Sequence, residues 1–327
     1  MKILFVHQGL QSFVQKDLEI LCSAHEVREV CFKSLRNVPT MYEGVAWSDL
    51  TFSWFGKIHA FFAVLFSKML VKKAVIVAGG DDVAYEPEFG YGLFSYWWKK
   101  WCPLFVFRYA DLIPSVSKFN RRETIENAKA DPTKVKWLYH GFDPCKFQLI
   151  PNVHKEKLVI TVGGVDRERL NRKGYVTFVR SATFLPDTQF VVIGAWHDDA
   201  IDYLLGIAPT NVKFIGQVTD IDLLRWFSRA KVYVQASLHE AFGCSLAEAM
   251  LCECVPVVSR RAALPEVVGD CGFYVDDLAP AAVALRIREA LGSADELGKK
   301  ARERIKTLFP LEKRKMDLLQ AIDSLKD

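Results

Sequence analysis

The sequence predicts two α/β domains, each a parallel sheet covered by helices. Three observations carry this. Short apolar runs at 158–162, 190–194, 232–236 and 255–258 alternate with helical segments, the pattern of strands buried on both faces. A chain of 327 residues that is 50% hydrophobic has enough length and apolar matter for two cores. Several of the runs end in glycine-containing turns, such as Gly163-Gly164 and Gly79-Gly80, which suits the ligand-binding ends of parallel strands.

Taken in order, residues 3–6 and 27–32 read as strands around a helix near 13–21. Residues 74–78 form a strand that ends in Gly79-Gly80-Asp81-Asp82, and 112–116 another, followed by a helix that Ser117 can cap. A strand at 135–139 closes this half. The linker is 141–154, with Pro144 and Pro151. Beyond it come a strand at 158–162, a helix at 175–185 stopped by Pro186, and strands at 190–194 and 212–216 around a helix at 200–207. Thr219-Asp220 starts a helix that runs to 229. A strand at 232–236, a helix from Cys244 and a strand at 255–258 follow. Then come a short helix at 265–268, a strand at 272–275 and a helix at 280–291. A last helix at 311–325 follows Pro310. The domains are therefore placed at 1–145 and 146–308, with 309–327 as a C-terminal helix.

Charge and cysteine usage bound the function. The net charge is +4, all of it in the first half: residues 1–150 hold 19 Lys and Arg against 15 Asp and Glu, residues 151–327 hold 24 against 24. With no nucleic-acid motif and so small an excess, nucleic acid is not expected as a partner. The eight cysteines include no Cys-x-x-Cys pair, so reduced thiols in a cytoplasmic protein are expected and a zinc site is not. Met1 to Val6 reads as a first strand rather than a secretory signal. No apolar run reaches the length of about 18 residues that a spanning helix needs.

The densest chemistry lies in His239-Glu240-Ala241-Phe242-Gly243-Cys244-Ser245-Leu246-Ala247-Glu248. A small-residue turn leads into a helix after a parallel strand, so the backbone N–H groups of Cys244, Ser245 and Leu246 can receive a diphosphate. Glu240 and Glu248 flank that turn and can accept hydrogen bonds from sugar hydroxyls. These features point to a nucleotide sugar. Ser245-x-x-Glu248 is also a capping-box pattern, but Glu240, in the preceding turn, has no capping duty. Arg172-Lys173-Gly174 opens the helix at 175. It is either a solvated basic pair or the group that neutralises a leaving diphosphate. Gly216-Gln217-Val218 follows a strand and is either an ordinary turn or part of the donor site. In the first half, Gly9 can let a donor phosphate or an acceptor come close. Asp81 or Asp82 either lines an acceptor pocket and takes a proton, or bonds its own turn.

On Glu240-x7-Glu248, with Phe242-Gly243 and Glu248-Ala249-Met250, the chain resembles the family 4 (group 1) retaining glycosyltransferases of the GT-B fold. Val255-Pro256-Val257-Val258 and the run from Leu264 to Asp270 are similar to that family as well. The resemblance is strong from about Val159 to Val275. It implies two Rossmann-like β/α/β domains facing a cleft, the acceptor bound by the first and the donor by the second, with the C-terminal helix crossing back to the first. It also implies metal-independent transfer of a hexose from a UDP- or GDP-linked donor, with no cofactor beyond that co-substrate. Within it, Glu248 would hold the ribose hydroxyls and Glu240 would contact the sugar near its anomeric centre. Lys173, in the matching Lys-Gly, would meet the diphosphate, and Gly216 to Val218 would receive the base. Three departures stand out. Gly164 sits where many members carry Arg, with Arg167, Arg169 or Arg172 as substitutes. Gly and Asp at 79–82 replace a usual His, and His140-Gly141-Phe142-Asp143 replaces Asn-Gly-Val-Asp. The alternatives are a non-catalytic relative that binds a nucleotide sugar or glycan, and another enzyme of the fold such as an epimerase or phosphorylase.

Two further stretches mix basic and aromatic residues. At the helical period, Lys57, Lys68 and Lys72 share a face with Phe61 and Val64. Residues 91–109 hold Trp97, Trp98, Lys99, Lys100, Trp101 and Arg108. Both suit either a packed core with snorkelling lysines or a peripheral contact with an anionic membrane, which would put the protein at the inner face of the cell membrane. A membrane lipid or lipid-linked glycan is the acceptor this second reading suggests.

Overall fold

The structure, a computed structural model, describes residues 1–326. It divides into two compact units: Met1–Gly141 together with the last helix, and Phe142–Pro310. The chain passes between them at 141/142 and 310/311 rather than at the 145/146 and 308/309 boundaries read from the sequence.

In the first unit the elements are β1 (Lys2–His7), α1 (Ser12–Cys22), β2 (Glu26–Cys31), α2 (Val38–Trp47), β3 (Leu50–Trp54), α3 (Ile58–Met69), β4 (Lys73–Val77), α4 (Trp101–Tyr109), β5 (Ile113–Ser115), α5 (Lys118–Glu126) and β6 (Val135–Trp137). The strands are parallel in the order β2-β1-β3-β4. Bridges Val75↔Leu112 and Ala78↔Ser115 carry the sheet on to β5, which pairs with β6. Helices cover both faces, so β1 is buried from Ile3 to His7. Leu4 and Val6 pack with Met41, Val45 and Ala63. Ala74 and Ile76 pack with Val64, Val106 and Phe107.

Sequence reading omitted α2 and β3. In β3, Thr51 and Ser53 interrupt the apolar run, yet both are fully buried. Thr51 Oγ1 lies 3.0 Å from Ser67 Oγ, which itself donates to the Ala63 carbonyl. A buried hydroxyl satisfied in this way costs little, so the strand tolerates polar residues that a hydropathy pattern rejects.

The last helix, α14 (Leu311–Asp323), packs on α1 in this unit. Arg314 grips Asp17 through Nε (3.0 Å) and Nη2 (2.7 Å), and Nη1 donates to the Leu138 carbonyl at 2.6 Å. Both side chains are only 2% exposed.

The basic face expected over 57–73 is not formed. α3 ends at Met69, which leaves Lys72 outside it. Val64 is fully buried and Phe61 partly so, both in the α3–α4 core. Lys68 pairs with Asp111 and Lys57 with Asp81, each at 2.6 Å. An all-round apolar helix belongs between layers, and this one is there. Among the described residues no helix is long and apolar enough to cross a membrane.

The second unit contains β7 (Glu156–Val162), α6 (Arg167–Arg172), α7 (Tyr175–Ser181), β8 (Gln189–Ile193), α8 (Ala200–Ile207), β9 (Val212–Gly216), α9 (Asp220–Arg229), β10 (Ala230–Gln235), α10 (Cys244–Leu251), β11 (Val255–Ser259), α11 (Leu264–Val268), β12 (Phe273–Val275), α12 (Pro280–Gly292) and α13 (Ala294–Leu308). All six strands are parallel, in the order β12-β11-β10-β7-β8-β9. The expected helix at 175–185 is shorter: α7 stops at Ser181 and a 3₁₀ turn follows. α13 was not read from the sequence because its buried side is small. Ala294, Gly298, Ala301 and Ile305 face inward, and a Cβ at Gly298 would stand 2.4 Å from the Glu253 carbonyl oxygen.

The strand order reverses between β7 and β10. In open α/β sheets this switch point, at the carboxyl ends of the strands, is where ligands bind.

Candidate donor site

The loop after β10 and the turn between α6 and α7 meet at that switch point. Gly174 makes the approach possible. Its φ is +71°, and a Cβ there would stand 2.3 Å from the Ala236 carbonyl oxygen. Only glycine combines that backbone with that contact. The Leu238 N–H then donates to the Arg172 carbonyl at 2.7 Å.

This brings Lys173 to Glu240. Lys173 Nζ donates to Glu240 Oε1 at 2.8 Å, with the side chains 21% and 12% exposed. Ser237 Oγ donates to the same oxygen at 3.1 Å, the Gln235 side chain adds a hydrogen bond, and the Ser237 carbonyl is itself held by Ser259 Oγ. Burial alone would raise the Glu240 carboxyl. Lys173 and Arg172, with the hydrogen bonds from Lys173 and Gln235, outweigh it and hold the group at about 2. Because the folded value lies below the ordinary 4.5, the pair stabilises the fold above pH 4.5 and loses that contribution as pH falls toward 2. The contribution is on the order of 3 kcal/mol. Unfolding followed by circular dichroism between pH 5 and pH 2 should show this loss, and Lys173→Met should flatten it.

Of the three arginines named as substitutes for the one missing at Gly164, Arg172 is the buried one that acts on Glu240. Arg167 is bound to Asp199 and Arg169 to Asp166. Arg172 is buried, 3.6 Å from Glu168, and acts electrostatically on Glu240. Gly164 is closely packed: a Cβ there would meet the His197 ring at 2.7 Å.

α10 starts at Cys244, after Gly243 with φ +99° as N-cap. Ser245 is therefore inside the first turn and is not the cap. Glu248 lies one turn further on, buried, so the capping-box reading does not hold. Cys244, Ser245 and Leu246 form the first turn of α10, whose N–H groups point out of the helix end. The Phe242 and Leu246 side chains are both buried. The Phe242 ring stacks on Phe142 (centroids 5.7 Å) and meets Phe309 edge-on (5.3 Å), which fixes the loop.

Gly216, with φ +75°, accepts at its carbonyl from the Gly194 N–H at 2.8 Å. Gln217 is exposed and Val218 half-buried. A Cβ at Gly216 would stand 3.8 Å from the Trp196 indole, which is 48% exposed. Sequence reasoning did not single out Trp196, Gln235 or Ser237. The signal available for each was its place just at or after a strand end.

Gly9, Asp81 and Asp82 belong to the first unit. Gly9 follows β1 in open surroundings. Asp82 is not the acceptor-pocket group that was a candidate: it is fully buried and accepts from the N–H groups of Gly56, Gly79 and Gly80 at 2.8–3.0 Å. It is a turn staple between the ends of β3 and β4. Burial, and then Asp81, raise its carboxyl to about 7 against the opposing hydrogen bonds. Asp81 is paired with Lys57.

The chain thus has two Rossmann-like units of the GT-B kind, with a cation–carboxylate pair beside a helix N-terminus at the switch point of the second. Residues 156–293 match the family model described as Glycosyl transferases group 1. That match lies within the second unit. O-antigen chain mannosyltransferase B of Escherichia coli is 35% identical over 198 residues, 56% of this chain and 52% of that protein. The match thus spans about half of that relative's length. Among solved structures, Anabaena Alr3699/HepE in complex with UDP and glucose superposes with TM-score 0.82 at 16% identity, over 99% of this chain and 100% of that one. Sucrose-phosphate synthase from Thermosynechococcus elongatus gives 0.80 at 16% identity, over 99% of each chain. At this identity the two structures share the fold.

Proposed function

We propose that this chain is a retaining, metal-independent glycosyltransferase that moves a hexose from a UDP- or GDP-linked donor to a hydroxyl of a lipid or glycan acceptor. The observation that carries the reading is the Lys173–Glu240 pair beside the start of α10. The family match and the mannosyltransferase relative support it.

In this reading the first turn of α10 receives the diphosphate, and Lys173 with Arg172 faces its charge. Glu248 accepts from the ribose hydroxyls. Glu240, kept ionised by its cations, accepts from hydroxyls of the sugar. Gly216 to Val218, beside the Trp196 ring, receives the base. The bond between the anomeric carbon and the diphosphate oxygen breaks as the acceptor oxygen bonds the same face of that carbon. The acceptor proton passes to the departing diphosphate. Negative charge grows on that leaving group, so fixed cations lower the barrier more than they tighten ground-state binding.

The test is to incubate the chain with UDP- and GDP-linked hexoses and lipid or glycan acceptors. Release of nucleoside diphosphate together with a new glycoside of unchanged anomeric configuration is expected, and Glu240→Ala should abolish it. Binding of the donor with no turnover on any acceptor would favour a non-catalytic relative instead.

A further inference from the structure

One part of the first unit is not used by the donor chemistry. Trp97, Trp98 and Trp101 are 77%, 54% and 53% exposed, and the intervening Lys99 and Lys100 are exposed too. Three tryptophans within five residues is a large apolar area to leave in water, and such patches mark interaction surfaces. The patch is held firmly. Trp97 and Trp98 pack edge to face with centroids 5.8 Å apart, and Lys99 Nζ sits 4.0 Å over the Tyr96 ring. Trp101 rests on Phe61 at 5.5 Å, Phe61 on Phe105 at 4.8 Å, and Phe105 on the exposed Tyr109 at 4.7 Å. The buried side of α4, with Cys102, Val106 and Phe107, is in the core. The aromatic ridge therefore runs from the 97–101 loop along the outer face of α4.

The charge of this surface indicates what covers it. Along the chain no carboxylate occurs between Glu88 and Asp111, whereas Lys99, Lys100 and Arg108 do; Glu126 of α5 borders the ridge on the side of Trp97 and Lys100. Lysine is depleted at protein–protein interfaces. Tryptophan and tyrosine concentrate at the headgroup level of bilayers, where lysines meet anionic lipid.

We propose that the Trp97–Trp101 ridge docks the first unit on an anionic lipid bilayer, with the indoles at headgroup depth and Lys99 and Lys100 on lipid phosphates. This surface replaces the 57–73 helix as the membrane contact, and it stands independently of the transfer reading.

Flotation of the full chain with vesicles tests it, using phosphatidylcholine alone and phosphatidylcholine mixed with phosphatidylglycerol at low salt. The chain should float with the mixed vesicles and not with the neutral ones. Lys99→Glu/Lys100→Glu should lower the vesicle-bound fraction roughly tenfold or more. Trp97→Ser/Trp98→Ser should do so as well, with the circular dichroism melt and nucleotide binding unchanged in both. All four side chains are exposed, so neither double variant empties the core. No flotation with the mixed vesicles, or flotation equal in wild type and both variants, overturns the proposal. So does protection of these tryptophans by a protein partner with no lipid binding.

Discussion

Replacing Lys173 by alanine should lower turnover by roughly 10²–10³-fold, the scale set by losing one group aimed at charge that develops in a transition state. The argument rests on position. Lys173 Nζ is 2.8 Å from Glu240 in a site where both side chains are largely buried, so its field is poorly screened. Its neighbour Arg172 has a carbonyl that anchors the loop after β10, and Gly174 locks the turn against Ala236. The charge is therefore fixed before the donor arrives. If its work is done on the leaving diphosphate, kcat falls while the KM for the donor changes little. If it serves only to hold the ground state, KM rises and kcat stays. Steady-state kinetics with varied donor concentration separates the two. Lys173→Ala also leaves Glu240 without its main counter-charge, so its carboxyl should titrate upward. A rate that recovers as pH rises would show that effect in the same variant.

The second large effect is on stability. Arg314→Ala or Asp17→Asn should destabilise the first unit by about 3–5 kcal/mol, the cost of leaving one partner of a buried ion pair unpaired. Both side chains are 2% exposed, and the guanidinium makes two hydrogen bonds to the carboxylate and one to the Leu138 carbonyl. This contact fastens α14, from the far end of the sequence, to α1. Urea unfolding read by circular dichroism should show an early transition in either single variant. The double variant Asp17→Leu/Arg314→Met should lose less than the sum of the two, because neither charge is then stranded.

What could be read from the sequence follows physical lines. The central strands of the second unit, β7, β8, β10 and β11, are largely buried apolar runs, and β9 (Val212–Gly216) and α8 (Ala200–Ile207) fall where hydropathy puts them. β3 escaped notice because Thr51 and Ser53 interrupt its apolar run although both are buried, and α13 because its inward face is largely alanine and glycine. At the site, the Glu240–Glu248 spacing and the Lys173-Gly174 turn were visible as separate motifs. Their contact was not, since it depends on a strand order that joins residues 67 positions apart. Asp82 looked chemically able and proved to be a staple. Sequence shows an aspartate after two glycines but not that three N–H groups close on it. The two basic-aromatic stretches look alike in composition. Only the structure separates the buried α3 from the exposed ridge at the start of α4.

The most direct single measurement is a thermal-shift titration with UDP, GDP, ADP and their hexose conjugates, on wild type and on Lys173→Ala and Glu248→Ala. A ligand that binds only the folded state raises the melting temperature by mass action. A shift with uridine or guanosine diphosphate, and its loss in both variants, is the predicted result and would place the donor at the Lys173–α10 site. No shift with any nucleotide, or a shift that both variants keep in full, would contradict it.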